Sequence, residues 1–165
     1  MIRRVYDEVI LTAAFLAFSV MLGAALIGTV SRYLTFLPTI SWGEEVTRYA
    51  GIWSVFLVSG IALRRGAHLG VDIVTSRLPP RVHHAISFIV YVLILAFAGL
   101  LLVYGIQIAR ENMVQLSPAL EWSMGIVYLC IPIGAGLMIV ETLGLLTRLL
   151  RGLPPLKPPV EEVME

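Results

Sequence analysis

Ser41-Trp42-Gly43-Glu44-Glu45-Val46-Thr47-Arg48 opens a stretch that runs apolar to Leu63. It then turns into Arg64-Arg65-Gly66-Ala67-His68-Leu69-Gly70-Val71-Asp72 and closes on Leu78-Pro79-Pro80. Charges at the start, an apolar interior and a basic exit mark a membrane crossing with a definable direction. Residues 49–63 are uncharged, which is shorter than the ~20 residues a crossing needs. The span, read as 42–63, must therefore draw in Glu44, Glu45 and Arg48, which sit at the membrane boundary. Unpaired charge there is costly, so these groups are expected to be paired or turned toward protein. Ser41 followed by Glu44 has the spacing of a capping box, both acids sit at the positive end of the helix dipole, and Glu44 and Arg48 stand at i and i+4, suited to an ion pair. Trp42 suits an interfacial anchor. Arg48, Gly51, Val55, Ser59 and Ala62 share one face of mostly small side chains. That face fits either packing within one bundle or contact with another subunit.

Composition agrees with this reading. The chain has 165 residues, 58% hydrophobic and only 14% charged, against ~25% charged in a soluble domain. Three further apolar runs are long enough to cross: 9–30 and 85–109, both uncharged, and 123–147. Basic residues precede the first run, yet it is longer than the ~7–15 residues of a signal-peptide core, so a retained helix is expected. Within it Ala13, Ala17, Met21, Ala24 and Gly28 form a smooth stripe suited to close helix packing. The fourth run contains Pro132, expected to kink it. It also contains Glu141, the only acid well inside an apolar run. Glu141 lies about two turns from Arg148, near the same end as Arg64 and Arg65. It reads as a carboxylate paired to an arginine in preference to a proton or cation site, because it is off the midplane.

Between the second and third crossings, Ala67, Val71, Val74 and Leu78 fit one side of a short amphipathic helix lying in the interface, ended by Pro79 and Pro80. His68 and Asp72 stand at i and i+4 within it. The expected fold is all-α: four transmembrane helices in one domain, residues 1–150, an interfacial helix, and a proline-rich tail, residues 151–165. Nine of the twelve Lys and Arg lie in the N-terminus, the 64–84 loop and the tail. The positive-inside rule then places both termini in the cytoplasm of a bacterial inner membrane.

No glycine-rich phosphate loop, nucleophile–base pair or metal cluster is visible, which excludes the usual enzyme classes. Cys130 is the one cysteine, so neither an internal disulfide nor a thiolate metal cluster is available. The basic residues have a topological explanation, leaving nothing to suggest nucleic-acid binding.

Trp42-Gly43-Glu44-Glu45 with Arg48, the Ala62–Asp72 segment, Leu78-Pro79, Gln115-Leu116-Ser117-Pro118-Ala119-Leu120, and Tyr128 with Ile131-Pro132-Ile133-Gly134 together resemble the small, DctQ-type membrane subunit of tripartite ATP-independent periplasmic (TRAP) transporters. The resemblance covers nearly the whole chain before the tail. It implies a non-enzymatic scaffold that packs in the bilayer against a large membrane subunit. That large subunit would hold the sodium and substrate sites, and a periplasmic binding protein would deliver an organic acid. It supplies no catalytic residues; Trp42, Glu44, Glu45 and Arg48 are assigned to the subunit interface. Two alternatives are a small cation antiporter using Glu141 and a membrane assembly factor without transport activity.

Overall fold

The computed structural model describes residues 2–33, 41–65 and 80–152. They form α1 (Ile2–Tyr33), α2 (Trp42–Arg64), α3 (Pro80–Glu111), the short α4 (Met124–Tyr128) and α5 (Cys130–Leu150). Four spans are long and apolar enough to cross a membrane: α1, α2, α3, and α4 with α5 acting as one. The interfacial helix expected at 67–78, with His68, Asp72 and Pro79, lies outside the described residues, as does the tail beyond 152.

The helices stand in a row. α2 packs against α1 on one side and α5 on the other, and α3 packs on the far side of α5. α2 and α5 run in the same direction: Tyr49, early in α2, donates to Met124 Sδ at the start of α4 at 3.4 Å, while Arg64, at the end of α2, reaches Glu141 in α5. One end of the row therefore gathers the start of α1 and the ends of α2 and α5. The other gathers the start of α2 and the 112–123 connection.

The small stripe of α1 faces this row. Ile10, Ala14, Ala24 and Ser31 are buried, with Ala13, Ala17, Met21 and Gly28 half-buried between them. α2 and α5 touch backbone to backbone. A Cβ on Gly60 would fall 2.9 Å from the Leu137 carbonyl carbon, and one on Gly134 would fall 2.8 Å from the Phe56 oxygen. Without a water-driven hydrophobic effect between helices in lipid, such close approach is what holds them. α3 turns Ala98 and Ala109 inward and leaves Phe88, Leu93, Phe97, Leu100 and Val103 exposed, a surface matched to lipid chains.

Three local details depart from the sequence reading. Ser41 is already in the helical region, at φ −68° and ψ −31°, and its side chain makes no cap bond, so the capping box does not form. The third helix starts at Pro80, five residues early, because proline is well placed in a first turn where its missing N–H costs nothing. The Pro132 effect appears upstream: the helix is interrupted at Leu129, between α4 and α5. Proline cannot donate to the Tyr128 carbonyl, and its ring crowds that turn. At its far end α5 stops with Gly152 at φ +64° and a bond from the Gly152 N–H to the Leu149 carbonyl, 3.0 Å, the left-handed close that glycine permits.

Candidate functional site

The charges predicted at the boundaries gather into two polar centres, one at each end of the row. At the first, Arg64 belongs to α2 rather than to the basic loop. It is only 8% exposed, while Arg65 next to it is exposed. Helical spacing turns Arg64 to the side of α2 where α1 and α5 flank it. Its Nη2 donates to Asp7 Oδ2 at 2.6 Å and its Nη1 to Glu141 Oε1 at 3.2 Å. Arg3 adds a longer contact to Glu141 Oε2, 3.7 Å. Two guanidinium groups thus meet two carboxylates, and three helices are tied at one point. Glu141 is 4% exposed, and its carboxylate is held by the Arg64 guanidinium, with Arg3 further off. Asp7 is the member that inspection of the sequence missed. Its signal was its spacing, three residues before Ile10, on the buried stripe of α1.

At the other end, Glu45 is 5% exposed. As a charge at the membrane boundary it is expected to be paired with a charge or turned toward protein. Its carboxylate accepts backbone N–H groups from the 112–123 connection: Ala119 to Oε1 at 3.0 Å and Leu120 to Oε2 at 3.1 Å. The buried Ser117 hydroxyl faces the same carboxylate and also accepts the Trp122 N–H at 3.2 Å. The connection is a tight hairpin. Leu116 and Ser123 form an antiparallel bridge, Ser117 N–H donates to the Trp122 carbonyl at 2.8 Å and Met124 N–H to the Gln115 carbonyl at 2.8 Å. Glu121 turns it with φ 54°. Backbone amides receiving a carboxylate satisfy it nearly as well as a cation does, since charge-assisted bonds are the strong ones.

Glu44 does not pair with Arg48. It forms its salt bridge with Arg32 at the end of α1, both side chains exposed, because α1 continues to Tyr33 and carries Arg32 to the first turn of α2. Arg48 is exposed; its guanidinium lies 5.5 Å from the Tyr49 ring centre and has no ion pair among the described residues. Trp42 is exposed at the start of α2, and Pro132 is buried. Among the described residues no group of three or more His, Cys, Asp or Glu is placed to hold a metal.

The arrangement joins helices and shapes a hairpin; it presents no reactive group. Comparison with known proteins agrees. The family model described as the DctQ component of tripartite ATP-independent periplasmic transporters matches residues 21–152. The chain is 34% identical over 104 residues to the isethionate TRAP transporter permease protein DctMQ of Oleidesulfovibrio alaskensis, covering 62% of this chain and 16% of that protein. It is 25% identical over 127 residues to the C4-dicarboxylate TRAP transporter small permease protein DctQ of Pseudomonas aeruginosa, covering 72% of this chain and 59% of that protein. The chain thus spans less than two thirds of either relative. With the match running from the middle of α1 to the end of α5, this multi-pass membrane chain belongs to the DctQ family, a component of a transporter and not an enzyme.

Proposed function

We propose that this chain is the small membrane subunit of a TRAP-type secondary transporter in a bacterial inner membrane, where it serves as a fixed scaffold for a large membrane subunit. The observation that carries the reading is the compensated charge. Glu141 and Asp7 are paired with Arg64, with Arg3 as the second cation beside Glu141, and Glu45 is held by hydrogen bonds from backbone amides. A subunit that itself coupled ion movement to transport would need a carboxylate free to exchange its partner. Glu141 has a guanidinium fixed on it, which counts against the antiporter alternative.

Sodium coupling and the substrate site are assigned to the large subunit, and substrate delivery to a periplasmic binding protein. The transported substrate is a small organic anion; the names of the two relatives specify isethionate and C4-dicarboxylate, both of that class. Both termini face the cytoplasm, with the 112–123 hairpin outside, following the placement of basic residues. Co-expression with a large TRAP membrane subunit from the same organism, followed by purification in mild detergent and reconstitution, tests the proposal. A stable two-subunit complex that takes up an organic anion only with a sodium gradient and its binding protein is expected. Sodium or proton exchange by this chain alone would overturn it.

A further inference from the structure

The outer side of α2 opens onto a groove shared with α1. It has a volume of about 710 Å3 and is lined by Leu11, Ala14, Phe15 and Phe18 of α1 and by Ser54, Val55, Val58, Ser59 and Ala62 of α2. Its floor is small and recessed: Ala14 and Ser54 are buried. Its rim is large and open: Phe15, Phe18 and Val55 are exposed, Val55 to 67%. The two serines have their protons committed, Ser54 Oγ donating to the Gly51 carbonyl at 2.8 Å and Ser59 Oγ to the Phe56 carbonyl at 2.7 Å, which leaves them only as acceptors. The rest of the lining is apolar and favours an apolar occupant.

We infer that this groove receives a membrane-spanning helix of the large subunit, which presents a carboxylate to Arg48. The inference rests on the small-subunit reading above and adds the docking face to it. Three observations favour a protein helix over a lipid chain. The lining extends from Leu11 to Phe18 and from Ser54 to Ala62, about 10–12 Å at 1.5 Å per residue, or two turns of a helix. A floor of small side chains lets a helix backbone approach closely, whereas an acyl chain gains as much on the exposed Leu93, Phe97 and Leu100 surface of α3.

Arg48 supplies the third. It stands seven residues before Val55, so it is within about 20° of it around α2, and about 9 Å along the axis from Ser54. Arg48 has Glu45 as its electrostatic neighbour, but that carboxylate is taken up by the hairpin amides; an exposed guanidinium in no ion pair among the described residues, on a helix whose uncharged run is too short to span, is costly in lipid. A fixed counter-charge on the occupant removes that cost. In the Oleidesulfovibrio relative the matching segment is 16% of a permease chain, so there the remainder of the permease is held next to it covalently.

The test uses the complex of this chain with its large subunit in native membranes. A photo-crosslinking benzoylphenylalanine replaces Val55 in one variant and Leu93, 63% exposed on α3, in another. The expected result is a covalent adduct with the large subunit from position 55 and none from position 93. In parallel, Arg48→Glu is expected to lower the large subunit retained on purification about tenfold, equivalent to ~1.4 kcal/mol, with a partner Asp or Glu→Arg change restoring it. An intact complex with the adduct from position 93 alone, or with only lipid on position 55, overturns the docking face. Failure of the unsubstituted chain to retain any large subunit overturns instead the reading on which it rests.

Discussion

Arg64 is the residue on which three helices depend. Removing one partner from a buried pair leaves an uncompensated charge and costs ~3–5 kcal/mol. Arg64→Ala is therefore expected to lower the heat stability of the detergent-solubilised chain by an amount in that range, read from the loss of monodisperse protein after heating. Arg65→Ala, one position on and exposed, is expected to change it by less than about 0.5 kcal/mol. Glu45→Gln keeps the shape but loses the charge-assisted bonds at the opposite end. Hydrogen exchange at the Ala119 and Leu120 amides is expected to speed up, while exchange within α5 stays as it was. Equal rates at those two amides would show that the hairpin holds itself without Glu45. The pairing of Glu141 was legible in the sequence because a single acid inside an apolar run, near arginines at one end, has few other fates. The partners of Glu45 were not legible. They are main-chain amides 74 and 75 positions away, and every residue but proline carries such a donor, so no side-chain pattern marks them. The Glu44–Arg48 expectation failed for a related reason: local spacing favoured it, but a neighbouring helix end brought Arg32 to the same carboxylate.

At the scale of elements, the crossings were readable because uncharged runs of this length have no other stable solution in a 165-residue chain. What pattern alone left open was which helix touches which. That is decided by where backbones can approach, and the glycines of α2 and α5 decide it. Gly134→Val is expected to push α5 away from α2, since the site has 2.7–2.8 Å to the Phe56 atoms and no room for a side chain. Overpacking of this kind costs ~1–3 kcal/mol or more. Gly136→Ala, two positions on, meets nothing within 4 Å and is expected to be neutral or stabilising by up to ~1 kcal/mol through helix propensity. Thermal melts of the two variants side by side check this. Melts lowered alike by both substitutions would mean that α2 and α5 do not meet at Gly134. The Leu129 interruption shows the limit of reading a proline from sequence. Its position names the disturbed helix, but the disturbance falls on the preceding turn, where the missing donor and the ring act.

For the whole molecule, the proposed orientation rests on the placement of the arginines and can be checked at described positions. Val114 is 91% exposed on the hairpin and Arg65 is exposed at the opposite end. In intact cells a membrane-impermeant maleimide is expected to label Val114→Cys but not Arg65→Cys; the reverse pattern would invert the topology. The row of helices has a further consequence. A permeation pathway needs walls on every side, and a single file encloses no lumen: among the described residues α1 stands at one edge of the four crossings and α3 at the other, each packed mainly on one neighbour. Liposomes holding this chain alone should therefore show the electrical leak of bare lipid, with no added conductance for ions or organic anions at any voltage the bilayer survives.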